Sequence, residues 1–124
     1  MESFILLAMI FCHIVDDYYL QGILANLKQK DWWEKHAPDC LYKYDYIIGL
    51  IMHAASWAFM IMLPIAIYLS FAVGWVFVLV FVANLIIHAV IDDLKANKKV
   101  INLIQDQTLH ISQIIITFTL IYFM

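Results

Sequence analysis

A run of apolar residues from Phe71 to Ile91, long enough to cross a bilayer, closes on His88-Ala-Val-Ile-Asp92-Asp93-Leu-Lys95. The four-residue spacing of His88 and Asp92 sets an imidazole and a carboxylate on one face of a helix. Ionisable groups inside a membrane-length segment are costly to desolvate, so they face a bundle interior and by default mark a functional site. Three other apolar stretches carry comparable groups: His13-x3-Asp17-x3-Gln21, a lone His53, and Asp106-Gln107-x2-His110. The chain therefore has to build an interior in which these groups meet.

Composition points the same way. Of 124 residues, 65% are hydrophobic and only 14% charged, which excludes an ordinary soluble domain and fits one polytopic membrane domain. Four stretches reach the roughly 20 residues that a spanning helix needs. They run from about residue 4 to 20, 45 to 70, 72 to 92 and 106 to 124, which predicts an all-α membrane protein, a four-transmembrane-helix bundle. Pro64 falls inside the second, where it kinks the helix or marks its approach to the far surface. Ser70 to Trp75, with Gly74, is expected to form a tight hairpin. The N-terminal run lacks a basic region before it and ends in Asp16-Asp17, so it reads as a mature helix and not as a signal peptide.

All seven basic residues are lysines, and they fall in two segments: Lys28, Lys30, Lys35 and Lys43, then Lys95, Lys98 and Lys99. The positive-inside rule puts both segments on the cytoplasmic side of the inner membrane and both termini outside. Within the first, Trp32 and Trp33 beside lysines predict a short interfacial helix between Gly22 and Tyr44. Cys12 and Cys40 offer neither a disulfide in that topology nor a zinc spacing. No phosphate-binding glycine loop or nucleic-acid motif occurs.

Converting position into depth, His13, His53, His88 and His110 each lie roughly 6 to 12 Å inside the cytoplasmic boundary, at about 1.5 Å per residue. Asp17, Asp92 and Asp106 form a second layer nearer the cytoplasm. Asp16 and Asp93 adjoin the stripe but sit about 100° round the helix, so they are read as interfacial. Histidine with carboxylate is a ligand set for borderline divalent metals, zinc first, with manganese or iron as alternatives. The metal set expected is His13, Asp17, His53, His88, Asp92, Asp106 and His110. A lone histidine such as His53 is more often an interhelical hydrogen-bond partner than a ligand. The count exceeds one tetrahedral site, so either two ions bind or some carboxylates orient imidazoles. Asn84, Gln21 and Gln107 are expected to orient neighbours by hydrogen bonds, while Lys95 would attract an anionic headgroup.

These segments resemble a family of small bacterial and phage integral membrane proteins of unknown function. The resemblance is carried by His13-x3-Asp17-Tyr18-x-Leu20-Gln21, Lys28, His53-Ala54, His88-x2-Ile91-Asp92-x2-Lys95 and Asp106-Gln107-x2-His110, with Tyr18 where the family pattern has Phe. It implies an integral membrane protein with a His/Asp centre and implies no activity.

Chemistry favours a metal-dependent hydrolase at the cytoplasmic face, acting on a lipid or other membrane-embedded substrate, with Asp17, Asp92 and Lys95 in catalytic roles. Two other classes compete. One moves protons or a divalent metal, against which stand the apolar outer halves of the helices. The other is a non-catalytic membrane-interaction protein with a structural polar or metal core. The bilayer is the partner in each case, and a homo-oligomer fits any of them.

Overall fold

Apolar residues recur every three to four positions along α4 (Asp45–Tyr68), and this spacing turns Leu50, Ala54, Trp57, Ala58, Ile61, Met62 and Ile65 to one buried face. In the computed structural model, which describes residues 2–123, α4 packs between α1 (Glu2–Val15) and α5 (Trp75–Ala96). The last long helix, α6 (Leu103–Tyr122), closes the ring by packing on α5 and α1. Two short helices, α2 (Leu24–Leu27) and α3 (Lys30–His36), fill the first long connection.

The ring is inside out relative to a soluble bundle. Phe4, Leu7, Phe11, Phe59, Val78, Ile86 and Ile116 point outward, whereas His13, Asp16, Asp17, His53, His88, Asp92, Asp106 and His110 are buried. Among the described residues, three segments are long and apolar enough to cross a membrane: Ser3–Leu20, Cys40–Tyr68 and Trp75–Ala96. At 20 residues α6 has the length as well, but Gln105, Asp106, Gln107, His110 and Gln113 dilute its apolar character. Beyond the polar layer, Ile5, Met9, Trp57, Ala58, Ile61, Met62, Ile65 and Ile114 form a dry core.

Helix boundaries shift from the expected ones for local reasons. The second helix stops at Tyr68, because Ser70 and Phe71 adopt left-handed backbone (φ 53° and 59°) and turn the chain. Gly74 is extended, so the reversal rests on Ser70 and Phe71, and α5 starts at Trp75. Helix α6 begins at Leu103, earlier than expected, because Asn102 and Gln105 form a reciprocal capping box. The helix runs on through Pro64.

Two departures bear on the site. Residues Asp16–Leu20 form a π turn in which the Gln21 N–H reaches Asp16 O, 3.1 Å away and five residues back. Gly22, at φ +49°, then ends the first helical run. The long connection holds two short helices where one was expected, and it is clamped to the bundle. A Cβ on Gly49 would lie 2.5 Å from Leu27 C and O, so α2 sits directly against α4. Asn97, at the end of α5, accepts from Lys30 N (2.7 Å) and donates to Lys28 O (3.1 Å), and Trp33 Nε1 donates to Leu27 O (2.8 Å).

Candidate metal centre

Helix α5 supplies His88 and Asp92 one turn apart, and the other three long helices bring their polar groups to this pair. From α4, His53 Nε2 faces His88 Nε2 at 3.3 Å and Asp92 Oδ2 at 3.3 Å. From the π turn, Asp17 Oδ1 comes within 3.3 Å of the same His53 nitrogen. From α6, His110 Nε2 lies 3.5 Å from Asp92 Oδ1 and 3.3 Å from Asp106 Oδ1. Two overlapping groups of potential ligands result, Asp17 with His53 and His88, and His88 with Asp92 and His110.

These side chains test well against a metal ion. Asp17 Oδ1, Asp106 Oδ1 and both ring nitrogens of His110 are buried with no hydrogen-bond partner, a costly arrangement unless something else fills the gap between them. A tetrahedral ion with bonds of about 2.0 to 2.1 Å sets its ligand atoms about 3.3 Å apart. Four of the contacts above have that length. Charge argues likewise: Asp16, Asp17, Asp92 and Asp106 are buried, and among the described residues two lysines reach them. The cluster is a site that could hold a metal ion.

Lys28 is the first of those lysines, its Nζ 2.6 Å from Asp92 Oδ2, and Lys95 the second, 2.6 Å from Asp106 Oδ2. Lys95, expected to await an anionic headgroup, is thus engaged inward. Lys28 was read only as part of a basic loop and a motif. Its partner lies 64 positions away, so no local pattern reveals the contact.

Trp57, one turn beyond His53, is wholly buried and stacks on the His88 ring with centroids 4.1 Å apart. It was not singled out in the sequence, although its spacing from His53 puts it on the same face. Its indole N–H donates to His13 Nδ1 at 2.7 Å, while His13 Nε2 meets Gln107 Oε1 at 3.0 Å. Gln107 in turn donates to Asp106 Oδ2 at 3.0 Å, as expected of an orienting residue. With both nitrogens occupied, His13 falls outside the two ligand groups, in contrast to the expectation from its depth.

Asp16 reverses a second expectation. A regular helix would turn it about 100° from Asp17, but the π turn spreads the turn over an extra residue and both carboxylates enter the bundle. Asp16 is fully buried, accepts from Ser56 Oγ at 2.6 Å, and has Oδ2 4.0 Å from His53 Nδ1. Asp93 stays at the edge as expected, paired with Asn97 and Lys98. Asn84 accepts from Gln113 Nε2 and bonds Thr117 Oγ1, a separate seam between α5 and α6. Gln21 donates back to its own helix at Asp17 O. His36 stacks on Trp32 in the loop, and Cys40 is exposed. A comparison of the chain with known protein families, curated proteins and solved structures finds no match to any of them.

Proposed function

We propose that all four long helices span the inner membrane, with the lysine-bearing connections cytoplasmic and both termini outside. The His/Asp centre would hold a divalent transition metal, zinc first, with manganese or iron as alternatives. Its function is hydrolysis of a lipid or other membrane-embedded substrate at the cytoplasmic face. The observation that carries this reading is the set of unpartnered carboxylate and imidazole atoms converging at tetrahedral spacing inside a lipid-facing bundle. The motif resemblance to small bacterial and phage membrane proteins is consistent with such a centre.

Asp17, His53, His88, Asp92, Asp106 and His110 would hold the metal, and the metal would supply Lewis acidity and bring the pKa of water toward neutrality. Asp17 Oδ2, which points away from the cluster toward His13 Nδ1 at 3.7 Å, would accept a proton from a water activated at the centre. Lys28 and Lys95 steady negative charge on the loop side of the centre. A cleft of about 470 Å³ between α1 and α6, lined by His13, Ile14, Tyr18, Tyr19, Gln107 and Ile111, supports lateral access from the bilayer.

One observation favours the structural-core reading: His53, His88, Asp106 and His110 have essentially no exposed surface. Elemental analysis and turnover separate the two. Detergent-purified protein is expected to carry a transition metal that His88→Ala and Asp106→Ala lose, and to cleave members of a phospholipid and lipid-phosphate panel only when loaded. Metal without turnover on any lipid would leave a structural clip, and no metal would overturn the hydrolase and leave a hydrogen-bonded polar core.

A further inference from the structure

We propose that the centre takes one divalent ion, at Asp17, His53 and His88, and that Lys28 keeps it from the alternative group. This inference rests on the metal-dependent reading above and narrows which of the residues named there bind the ion directly. Two groups of ligand atoms lie close enough to share an ion, Asp17 with His53 and His88, and His88 with Asp92 and His110. Both need His88, whose Nε2 faces His53 Nε2 at 3.3 Å and Asp92 Oδ1 at 3.8 Å. One imidazole nitrogen offers one lone pair, so the two groups are alternatives.

Charge decides between them. Asp16, Asp17, Asp92 and Asp106 are buried, and Lys28 and Lys95 each set an ammonium 2.6 Å from one of the last two. With neutral imidazoles, this pairing leaves two negative charges, the complement of one divalent ion. A second ion would leave a net positive charge buried in the membrane, which is costly. The carboxylates without a lysine are Asp16 and Asp17, and both face His53. Asp92 Oδ2 also lies 3.3 Å from His53 Nε2, but Lys28 holds it, and it does not join the Asp17 group.

Hydrogen bonding agrees independently. Among the described residues, Asp17 Oδ1, His53 Nδ1 and Asp16 Oδ2 are buried without partners. An ion on His53 Nε2 leaves the ring proton on Nδ1, where it draws Asp16 Oδ2, 4.0 Å away, into a hydrogen bond. A single occupant thus satisfies all three atoms. On the other side, His110 Nε2 lies between Asp106 Oδ1 at 3.3 Å and Asp92 Oδ1 at 3.5 Å, so a ring proton there serves two acceptors with no ion. Three protein ligands leave the ion at Asp17 one tetrahedral position for water or substrate, as in catalytic and not structural zinc.

Wild-type protein titrated with Co(II) in detergent is expected to bind one ion per chain, with the visible spectrum of a four-coordinate site. His53→Gln should lose that ion, whereas His110→Gln, an equally neutral exchange, should keep it with the spectrum unchanged. Lys28→Ala added to His53→Gln frees Asp92, so the double variant should regain one ion at His88, Asp92 and His110. An unfolded chain could not do so, which separates loss of a ligand from loss of the fold. Two ions per wild-type chain would overturn the single site, and loss from His110→Gln would overturn its position. In either case, lipid turnover by loaded wild type would leave the hydrolase standing. A double variant that stays empty would overturn the selecting role of Lys28, and no ion in wild type would remove the inference together with the reading it rests on.

Discussion

Trp57 Nε1 donates to His13 Nδ1 at 2.7 Å, and this one contact fixes the tautomer of His13. Indole can only donate, so Nδ1 is bare and the ring proton sits on Nε2. That proton goes to Gln107 Oε1 at 3.0 Å, whose amide nitrogen faces Asp106. His13 is an anchor joining α1, α4 and α6 next to the centre. His13→Ala should keep the wild-type metal content while lowering stability by about 1 to 3 kcal/mol through the stranded indole donor. Elemental analysis beside denaturant melts in detergent checks this, and loss of metal from a folded variant would return His13 to the ligand set.

Lys28 should matter most when no metal is present. It is 14% exposed against a 5% exposed Asp92 side chain, so removing it leaves a nearly buried carboxylate with no cation. Lys28→Ala is expected to destabilise metal-free protein by about 3 to 5 kcal/mol and to cost much less once metal is added. Thermal melts with and without metal read the difference. Equal losses under both conditions would mean that the ammonium and the metal do not compete for the carboxylate.

Asp16 Oδ2 faces His53 Nδ1 at 4.0 Å, and it would close on that nitrogen when His53 ligates a metal, where such partners typically contribute 10- to 100-fold in metal affinity. Asp16→Asn retains the bond from Ser56 and should weaken binding by about that factor without unfolding the protein. A chelator titration measures it. An unchanged dissociation constant would place Asp16 outside the centre's support.

Gly49 holds the first connection down. A methyl at this position meets the Leu27 backbone at 2.5 Å, so α2 has to lift. Gly49→Ala should destabilise by about 1 to 3 kcal/mol and speed proteolysis between Leu24 and His36. Wild-type cleavage rates would show that the two elements have room to spare.

Lys99 donates to Asp31, in the first turn of α3, at 2.6 Å and ties the two lysine-bearing connections together. The Lys99 hydrogen bond and charge hold the Asp31 carboxyl below its ordinary 3.8, and Asp31 holds Lys99 above its ordinary 10.5. Stability from a depressed carboxyl is present above 3.8 and lost as pH falls through the lowered value; stability from a raised ammonium is present below 10.5 and lost as pH rises through the higher one. Protection of the loops from protease should therefore be flat between those limits and drop in acid. Asp31→Asn should abolish the acid drop.

Four-residue spacing made the His88–Asp92 and Asp106–His110 pairs legible as shared helix faces, and counting depth along the helices set the histidines in one layer and Asp17, Asp92 and Asp106 in a second. What it could not supply came from elsewhere in the chain. The tautomer of His13 depends on an indole 44 positions away, and Lys28 finds Asp92 across 64. Asp16 was misread because a regular turn was assumed where the Asp16–Leu20 segment is a π turn. Asn102 was overlooked as a cap, so α6 was started too late. Helix α6 is the least apolar of the four long helices because its first half carries residues that build the centre, Asp106 and His110 among them.

The hairpin at Ser70 to Gly74 divides the centre's residues between two pieces of chain. Asp16, Asp17, Lys28 and His53 precede it, while His88, Asp92, Lys95, Asp106 and His110 follow. The second piece keeps Lys95 on Asp106 but loses Lys28 from Asp92, and the first loses the His88 ring that faces His53, so each inserted separately would carry an incompletely paired charge in lipid. Fragments ending and beginning at that turn are therefore expected to be short-lived when made singly and to survive when made together. The same polar residues that make the centre would then act as a quality check on assembly, condemning a half-built bundle before it can accumulate.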